Sequence, residues 1–565
     1  MRISDINPTM FASTLSSAVH TMVDGGAGYQ LPVFPFVTPP ELTGAMPTRY
    51  PVVIVGGGLV GLTLACDLAS RGVAAVVLDE DDTVGVRGAS SRGMCYAQKS
   101  LEVFDRLGIY ERLLNKGVQW SVGRTLADSD EIYSFDAKPA CISAQAPFLN
   151  LQQFYVEWFL VDRIAELGLT DLRWKHRVSG AVRHDDHVVL QIDTPAGAYA
   201  IEAQWVIDAT GANSPLRDYL GVEIYPEHGS DRWCICDVRF KKQLPAERWT
   251  WVAAPFNEGR AVWQHPMADG VWRLDYQMAP DCDPERVSHP DVARARVREH
   301  LGEDVEFEMV WIGPWHYRTQ MLDHFRHGRV LFIGDAAHAM SPFGARGGNS
   351  GIQDADNLGW KLALVLQAKA SEALLDSYCT ERRAAAAENI AVTQRTARFL
   401  APQSDAERLL RDAVLSLARN YPFARALVNT GRLSTANRYP ALTAISGAGE
   451  SLQNVPLQTP QGPTTLARYS LAQGTRLLAL YFPLSANDAT AAHLRTHQHT
   501  WPHIHLAVCA PNADCDDHGV FAESPGTLLL LRPDLYLCAR LQTPSSESLD
   551  ILQAAALNQS LEIVE

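Results

Sequence analysis

Gly56-Gly57-Gly58-Leu59-Val60-Gly61 has the GxGxxG spacing, and the chemistry of that spacing is the holding of a pyrophosphate. The first glycine allows a tight turn. The second lets the backbone approach the phosphates, and the third lets the following helix pack closely on its strand. A helix opening on such a turn offers free N–H groups and about half a positive charge to the anion. Asp79, roughly twenty residues on, stands where a carboxylate accepts hydrogen bonds from ribose hydroxyls. The spacing alone is weak, so its context matters. Val52 to Val55 reads as a buried strand, Gly61 to Arg71 as a helix that ends at Gly72, and Ala74 to Leu78 as a second strand. Together they form a βαβ unit. That unit does not choose between a nicotinamide and a flavin dinucleotide.

A second run makes the choice. Val330-Leu331-Phe332-Ile333-Gly334-Asp335-Ala336-Ala337-His338 is followed by Ser341-Pro342-Phe343-Gly344-Ala345-Arg346-Gly347-Gly348-Asn349-Ser350-Gly351, and then by Ile352 to Leu362. This run resembles the strand, flavin-ring loop and helix of the FAD-dependent aromatic hydroxylases, the para-hydroxybenzoate hydroxylase and phenol hydroxylase superfamily. The resemblance implies that Gly334 and Asp335 hold the ribityl chain. It implies that Pro342 and the backbone of Gly347, Gly348 and Asn349 lie against the isoalloxazine. A helix starting near Asn349 would stabilise the negative charge of reduced flavin. Ser91 to Cys95 resembles the segment that places an arginine, Arg92, on the cofactor. Leu151 to Glu157 resembles the helix that brings a glutamine, Gln152, near the FAD phosphates. With Gly56, Gly58, Gly61 and Asp79 these residues make up the expected FAD site. One departure stands in Val206 to Arg217, which aligns with a motif serving both FAD and NAD(P)H. Thr210 occupies the usual position of an Asp, and Asn213 that of a common Arg.

No second GxGxxG sits between a strand and a helix, which suits an enzyme where NADPH or NADH docks transiently, reduces FAD and leaves. The resemblance then implies that O2 reacts to a flavin C4a-hydroperoxide, which hydroxylates a small, phenol-like aromatic substrate. Protein groups would orient the ring, exclude water and polarise its hydroxyl. The catalytic candidates are His265, Tyr317 and Arg318. Trp263, Gln264, Trp272, Arg273, Tyr276 and His316 share the same region, and for each a purely structural role competes. Other flavin chemistry (an oxidase, dehydrogenase or epoxidase) and a non-catalytic FAD redox sensor stay open as alternatives. Thr210 leaves the nicotinamide docking unassigned.

These residues need elements to position them. The chain of 565 residues is too long for one core, and its composition is that of a globular protein, 47% hydrophobic and 20% charged. The expected fold is α/β: a Rossmann-like FAD-binding domain with an inserted, mostly antiparallel substrate-binding sheet, and a C-terminal thioredoxin-like domain. The arm is placed at 1–49 and the FAD-binding domain at 50–224 and 326–430. The sheet layer is placed at 225–325, a linker at 431–470, and the last domain at 471–565. Leu531 to Tyr536 resembles the end of the thioredoxin-like domain of the larger family members. Lys and Arg number 49 against 64 Asp and Glu, a net charge of −15, which disfavours nucleic acid and anionic membrane as partners. With no long apolar span, no leader pattern and ten scattered cysteines, the expectation is a cytoplasmic protein, with a homodimer left open. His503, His505, Cys509, Cys515 and His518 match no standard zinc spacing, so no metal is expected. Cys234 and Cys236 are not a CxxC pair, and the last domain also lacks one.

Overall fold

The computed structural model describes residues 18–19, 29–44, 49–85, 92–93, 95–136, 143–225, 227–242, 244–428, 433–440, 449–509, 521, 523 and 525–558, with backbone alone at 18–19, 30, 227–231 and 317. Strand β1 (Arg49–Val55) runs into α1 (Leu59–Ser70) and β2 (Ala75–Asp79), the βαβ unit. The run Val52 to Val55 is buried, as befits a central parallel strand covered on both faces. Helix α1 is buried on nearly all sides. It is clamped between the sheet and two later helices. There follow β3 (Cys95–Ala97), α2 (Gln98–Leu107), β4 (Val122–Ala127), β5 (Asp130–Asp136) and α3 (Gln153–Leu167). Strands β6 (Thr170–Trp174), β7 (Arg177–Arg183), β8 (Val188–Thr194) and β9 (Gly197–Asp208) complete the main run of the first sheet, ordered β6-β2-β1-β9-β8-β7.

The second sheet is built from β10 (Glu227–Phe240), β11 (Arg248–Ala254), β12 (Arg260–Pro266), β13 (Val271–Met278) and, beyond helix α4 (Pro290–Leu301), β14 (Phe307–Met321). The chain then returns to the first sheet through β15 (Val330–Phe332), parallel to β9, and gives β16 (His338–Ala339) to the second. The second sheet has the order β16-β14-β10-β13-β12-β11-β4-β5. It is therefore wider than residues 225–325: β4 joins β11 in parallel and carries β5 with it. All eight residues of β13 are buried. Its apolar side chains Trp272, Leu274 and Tyr276 share a core with Ala293 and Val297 of α4. Alternation turns Arg273, Asp275 and Gln277 to the opposite face, toward the FAD-binding part.

Helices α5 (Arg346–Leu366) and α6 (Leu374–Leu400) cover the first sheet and α1. The last unit has β17 (Leu477–Tyr481), α7 (Ala489–His497), β18 (Ile504–Val508), β19 (Leu528–Leu531), β20 (Leu537–Leu541) and α8 (Ser546–Ala556). Its sheet order is β18-β17-β19-β20, with β17 and β18 parallel and the other pairs antiparallel. The segment expected to be a linker is packed instead. It holds a hairpin (Pro456–Thr459 with Gly462–Thr465) and a helix (Leu466–Ala472). Asn454 is buried there and donates to Asp105 and Gln145, each at 3.0 Å. Its glycine, proline, serine and threonine content reads as a linker, but composition does not report such side-chain bonds. In the arm, Phe34 stacks on Trp174 at 4.5 Å.

Candidate functional site

The glycine turn joins β1 to α1 as its spacing demands. Gly56 has φ +107°, and a Cβ there would sit 2.5 Å from the Ala209 carbonyl oxygen; one on Gly61 would overlap the Gly56 carbonyl. Gly58 caps α1 with no side chain, so the first turn of the helix presents backbone. Glu157 of α3 takes the Leu59 N–H at 3.0 Å and the Gly85 N–H at 2.7 Å, fixing the turn against its neighbours. Asp79 accepts from the Gly57 N–H at 2.6 Å and the Asp81 N–H at 2.8 Å. Burial outweighs those two bonds and pushes its carboxyl up to about 6. A diol donating to this carboxylate would offset that cost.

Beyond β15, the Gly334 N–H donates to Asp354 at 3.0 Å. Asp354 also binds His338 at 2.7 Å and Arg382 at 2.6 Å, so His338 is a buried structural residue here. Asp335 is exposed, although the surrounding protein crowds it. That crowding raises its carboxyl, while His338, Arg92 and Arg318 pull it down. Arg318 donates to Asn213. Pro342 is exposed and Phe343 buried.

Helix α5 begins at Arg346, one turn before the start expected near Asn349, because Ala345 takes the left-handed conformation (φ +54°) and becomes its cap. Asn349 holds that turn with its side chain. It donates to the carbonyls of Ala345 (2.6 Å) and Cys95 (2.8 Å), and accepts from the Ala97 N–H (2.9 Å) and Ser100 Oγ (2.6 Å). Gly347 and Gly348 form the accessible part of the turn. The residues present fit a flavin dinucleotide: a glycine turn where a Cβ at Gly56 or Gly61 would clash, a helix start capped by no side chain, and two carboxylates, Asp79 and Asp335, able to accept from hydroxyls.

Arg92 has φ +45° and an exposed side chain, and its carbonyl receives Arg273 Nη1 at 2.5 Å. Gln152 is turned toward the second sheet, donating to the Ala268 carbonyl at 3.1 Å and to Tyr29 Oη at 3.4 Å. Its neighbour Gln153 instead accepts the Gly93 N–H at 3.1 Å and donates to Glu157 at 2.8 Å. Sequence reasoning passed over Gln153. The signal was its position one helical turn before Glu157, which puts both on one face of α3. The Thr210 hydroxyl is bound to Asp208 at 2.6 Å.

The sheet candidates separate by face. Trp272 and Tyr276 belong to the core against α4, and alternation along β12 puts Gln264 on that same side. Trp263, His265 and Arg273 point the other way. His316 is exposed, and the Tyr317 side chain lies outside the described residues. Three residues that the sequence did not single out join the inward face. Trp233 stacks on Trp263 at 5.0 Å, and Phe343 meets both rings edge-on at 5.9 and 5.0 Å. Arg248 is buried beside His265. The loop carrying Pro342 thus packs on an aromatic sheet face.

Comparison with known proteins agrees with this geometry. Residues 49–395 match the model of the FAD binding domain family. The 3-(3-hydroxy-phenyl)propionate/3-hydroxycinnamic acid hydroxylase of Mycolicibacterium smegmatis is 28% identical over 398 residues, covering 70% of this chain and 69% of that protein. The 12-dehydrotetracycline 5-monooxygenase/anhydrotetracycline 6-monooxygenase of Streptomyces rimosus is 29% identical over 503 residues, 87% of this chain and 95% of that one. Among solved structures, an anhydrotetracycline hydroxylase from Streptomyces rimosus superimposes with a TM-score of 0.69 at 25% identity, covering 90% of this chain and 99% of that chain.

Proposed function

We propose how the residues of this chain, which belongs to the FAD binding domain family and is, like its relatives, an FAD-dependent, NAD(P)H-consuming monooxygenase of aromatic compounds, divide that work. Gly56, Gly58 and Gly61 hold the pyrophosphate at the start of α1, and Asp79 takes the ribose. Asp335 and Gly334 hold the ribityl chain. Pro342, Gly347 and Gly348 border the flavin ring, with Asn349 setting their backbone and Arg92 lying alongside. Gln153 acts beside Arg92, and Gln152 braces the sheet. When bound, FAD would supply the redox chemistry, with NADH or NADPH giving two electrons and O2 giving one atom to the ring and the other to water. The chain's part is to orient that ring and exclude water. The observation that carries this reading is the contact of Phe343 with Trp233 and Trp263, which sets an aromatic-lined face next to the flavin-ring loop.

His265 is the catalytic candidate best placed on that face. Arg318 lies near Asp335, on the cofactor side. Among the described residues, no helix is long and apolar enough to cross a membrane. A cytoplasmic site of action belongs to the same reading. The order and directions of β17 to β20, with α7 between the parallel pair, support a thioredoxin-like last domain.

A panel of phenols and aromatic acids, scored by stimulation of NAD(P)H oxidation and by stopped-flow bleaching of the flavin, tests the proposal. Reduction should be slow without substrate and about a hundredfold faster with it, which needs about 2.7 kcal/mol of differential stabilisation. Reduction at one rate regardless of ligand would favour an oxidase.

A further inference from the structure

The inward face of the second sheet carries a cation with no ion-pair partner among the described residues. Arg248 on β11 is 7% exposed. Among the described residues no carboxylate lies within ion-pair reach of its guanidinium, and its Nε has no hydrogen-bond partner. The neighbouring charges are spent elsewhere: Asp275 pairs with Arg273 at 2.7 Å, and Arg273 also holds the Arg92 carbonyl. The pairing of Trp249 with Gln264 puts Arg248 opposite His265 across β11 and β12. His265 is 5% exposed, and its Nδ1 is also without a partner. Its Nε2 stands 3.9 Å from Asp275. The indole N–H groups of Trp233 and Trp263, on the same face, are likewise buried and unpartnered.

Leaving one such group unsatisfied costs about 1–3 kcal/mol, and a buried lone cation costs several. Four of them on one face, next to stacked indoles and Phe343, form a buried, cationic set of nitrogens suited to a ligand's oxygens. Burial and the cations Arg248 and Arg273 hold His265 neutral, far below its ordinary value, so it adds no second positive charge.

We propose that Arg248 is a specificity-determining residue and that the substrate is an aromatic ring bearing an oxyanion, which the buried guanidinium neutralises while Trp233, Trp263 and Phe343 enclose the ring. This rests on the monooxygenase reading and narrows it: neutral phenols should bind poorly. The oxyanion has two chemical sources, a carboxylate substituent or an ionised ring hydroxyl.

The test is equilibrium dialysis with the holoenzyme, which reads binding without turnover. Two matched probe pairs are used: 3-(3-hydroxyphenyl)propionate against its primary amide, and ionised 4-nitrophenol against neutral phenol. The wild type should favour the anion at least thirtyfold in one pair, and the pair that shows it identifies the source. Arg248→Gln, which keeps a donor and removes the charge, should bring that ratio close to one. Arg248→Lys should keep part of it. Flavin content and melting temperature are recorded for each variant, and should Arg248→Gln lose its flavin, Arg248→Lys against wild type decides by the same ratio. No anion preference in either wild-type pair, or a preference that survives the substitution, overturns the proposal. Failure of the monooxygenase reading would look different: anions would bind, but none of the aromatic probes would stimulate NAD(P)H oxidation.

Discussion

Two regions of this molecule bury arginines, and they treat them in opposite ways. Where the last domain meets the FAD-binding part, Arg532 binds Glu381 at 2.6 and 3.0 Å and Asp534 at 2.5 and 3.0 Å. Lys361 adds a 2.8 Å bond to Glu381, Asn357 one of 2.7 Å, and Trp360 donates to Asp534 at 3.2 Å. Every charge there is answered from within the chain. On the inward face of the second sheet, Arg248 has no ion-pair partner among the described residues, and Asp275, which acts on it from beyond contact, is already paired with Arg273. Both side chains are about equally hidden from solvent, so burial alone does not distinguish them; pairing does. A closed network holds two domains in register. An open one is kept because something outside the chain completes it. The second sheet therefore carries specificity, and the domain interface carries stability.

The largest effect should come from breaking the closed network. Glu381→Ala leaves Arg532 and Lys361 buried with a lost partner and should cost about 3–5 kcal/mol in denaturant unfolding. Arg248→Met, removing a cation that has no partner to strand, should leave stability unchanged or raise it. Equal losses from the two substitutions would erase the distinction drawn here.

Acid should find the same network next. Arg532 and Lys361 overcome burial and hold the Glu381 carboxyl at about 2, against about 4.3 for a free glutamate. A depressed carboxyl stabilises above its unfolded value and loses that contribution as pH falls through the folded one. Wild type should accordingly lose about 3 kcal/mol relative to Glu381→Gln between roughly pH 5 and pH 2. Parallel pH curves for the two proteins would show that Glu381 does not carry the charge assigned to it.

Smaller again is the cofactor effect. Asp335→Ala removes a charged hydrogen-bond acceptor, worth about 1.5–3 kcal/mol, and should weaken FAD binding about ten- to hundredfold. A variant that purifies with full flavin content would remove Asp335 from the site. Least of all, Cys509→Ser should leave turnover intact, since the last domain has no CxxC; Cys515 lies outside the described residues.

The backbone turns of the candidate site were legible in the sequence. Gly56, Gly61 and the Gly334-Asp335 turn are dictated by local geometry, and glycine spacing records it directly. Parts that depend on neighbours across the fold were not. Helix α5 starts at Arg346, where Ala345 takes the left-handed conformation, and Asn349 ties that first turn to Cys95 and Ala97 on a distant strand. Gln152 and Gln153 are adjacent and alike in type, and only the packing of α3 against the second sheet turned one toward Ala268 and the other toward Gly93. Arg248 looked like any charged residue on a strand. Its meaning lies in the missing partner, which no local pattern encodes. The second sheet also drew in residues 122–136 from before the expected segment, because its β11 edge needed a partner strand.

The most direct test of the account is the origin of the oxygen in the product. Turnover of the best anionic aromatic under 18O2, with NADH or NADPH as donor, should give a product one oxygen atom heavier with that atom labelled, and close to one nicotinamide oxidised per product. A product without label, with hydrogen peroxide accounting for the nicotinamide consumed, would contradict the monooxygenase assignment.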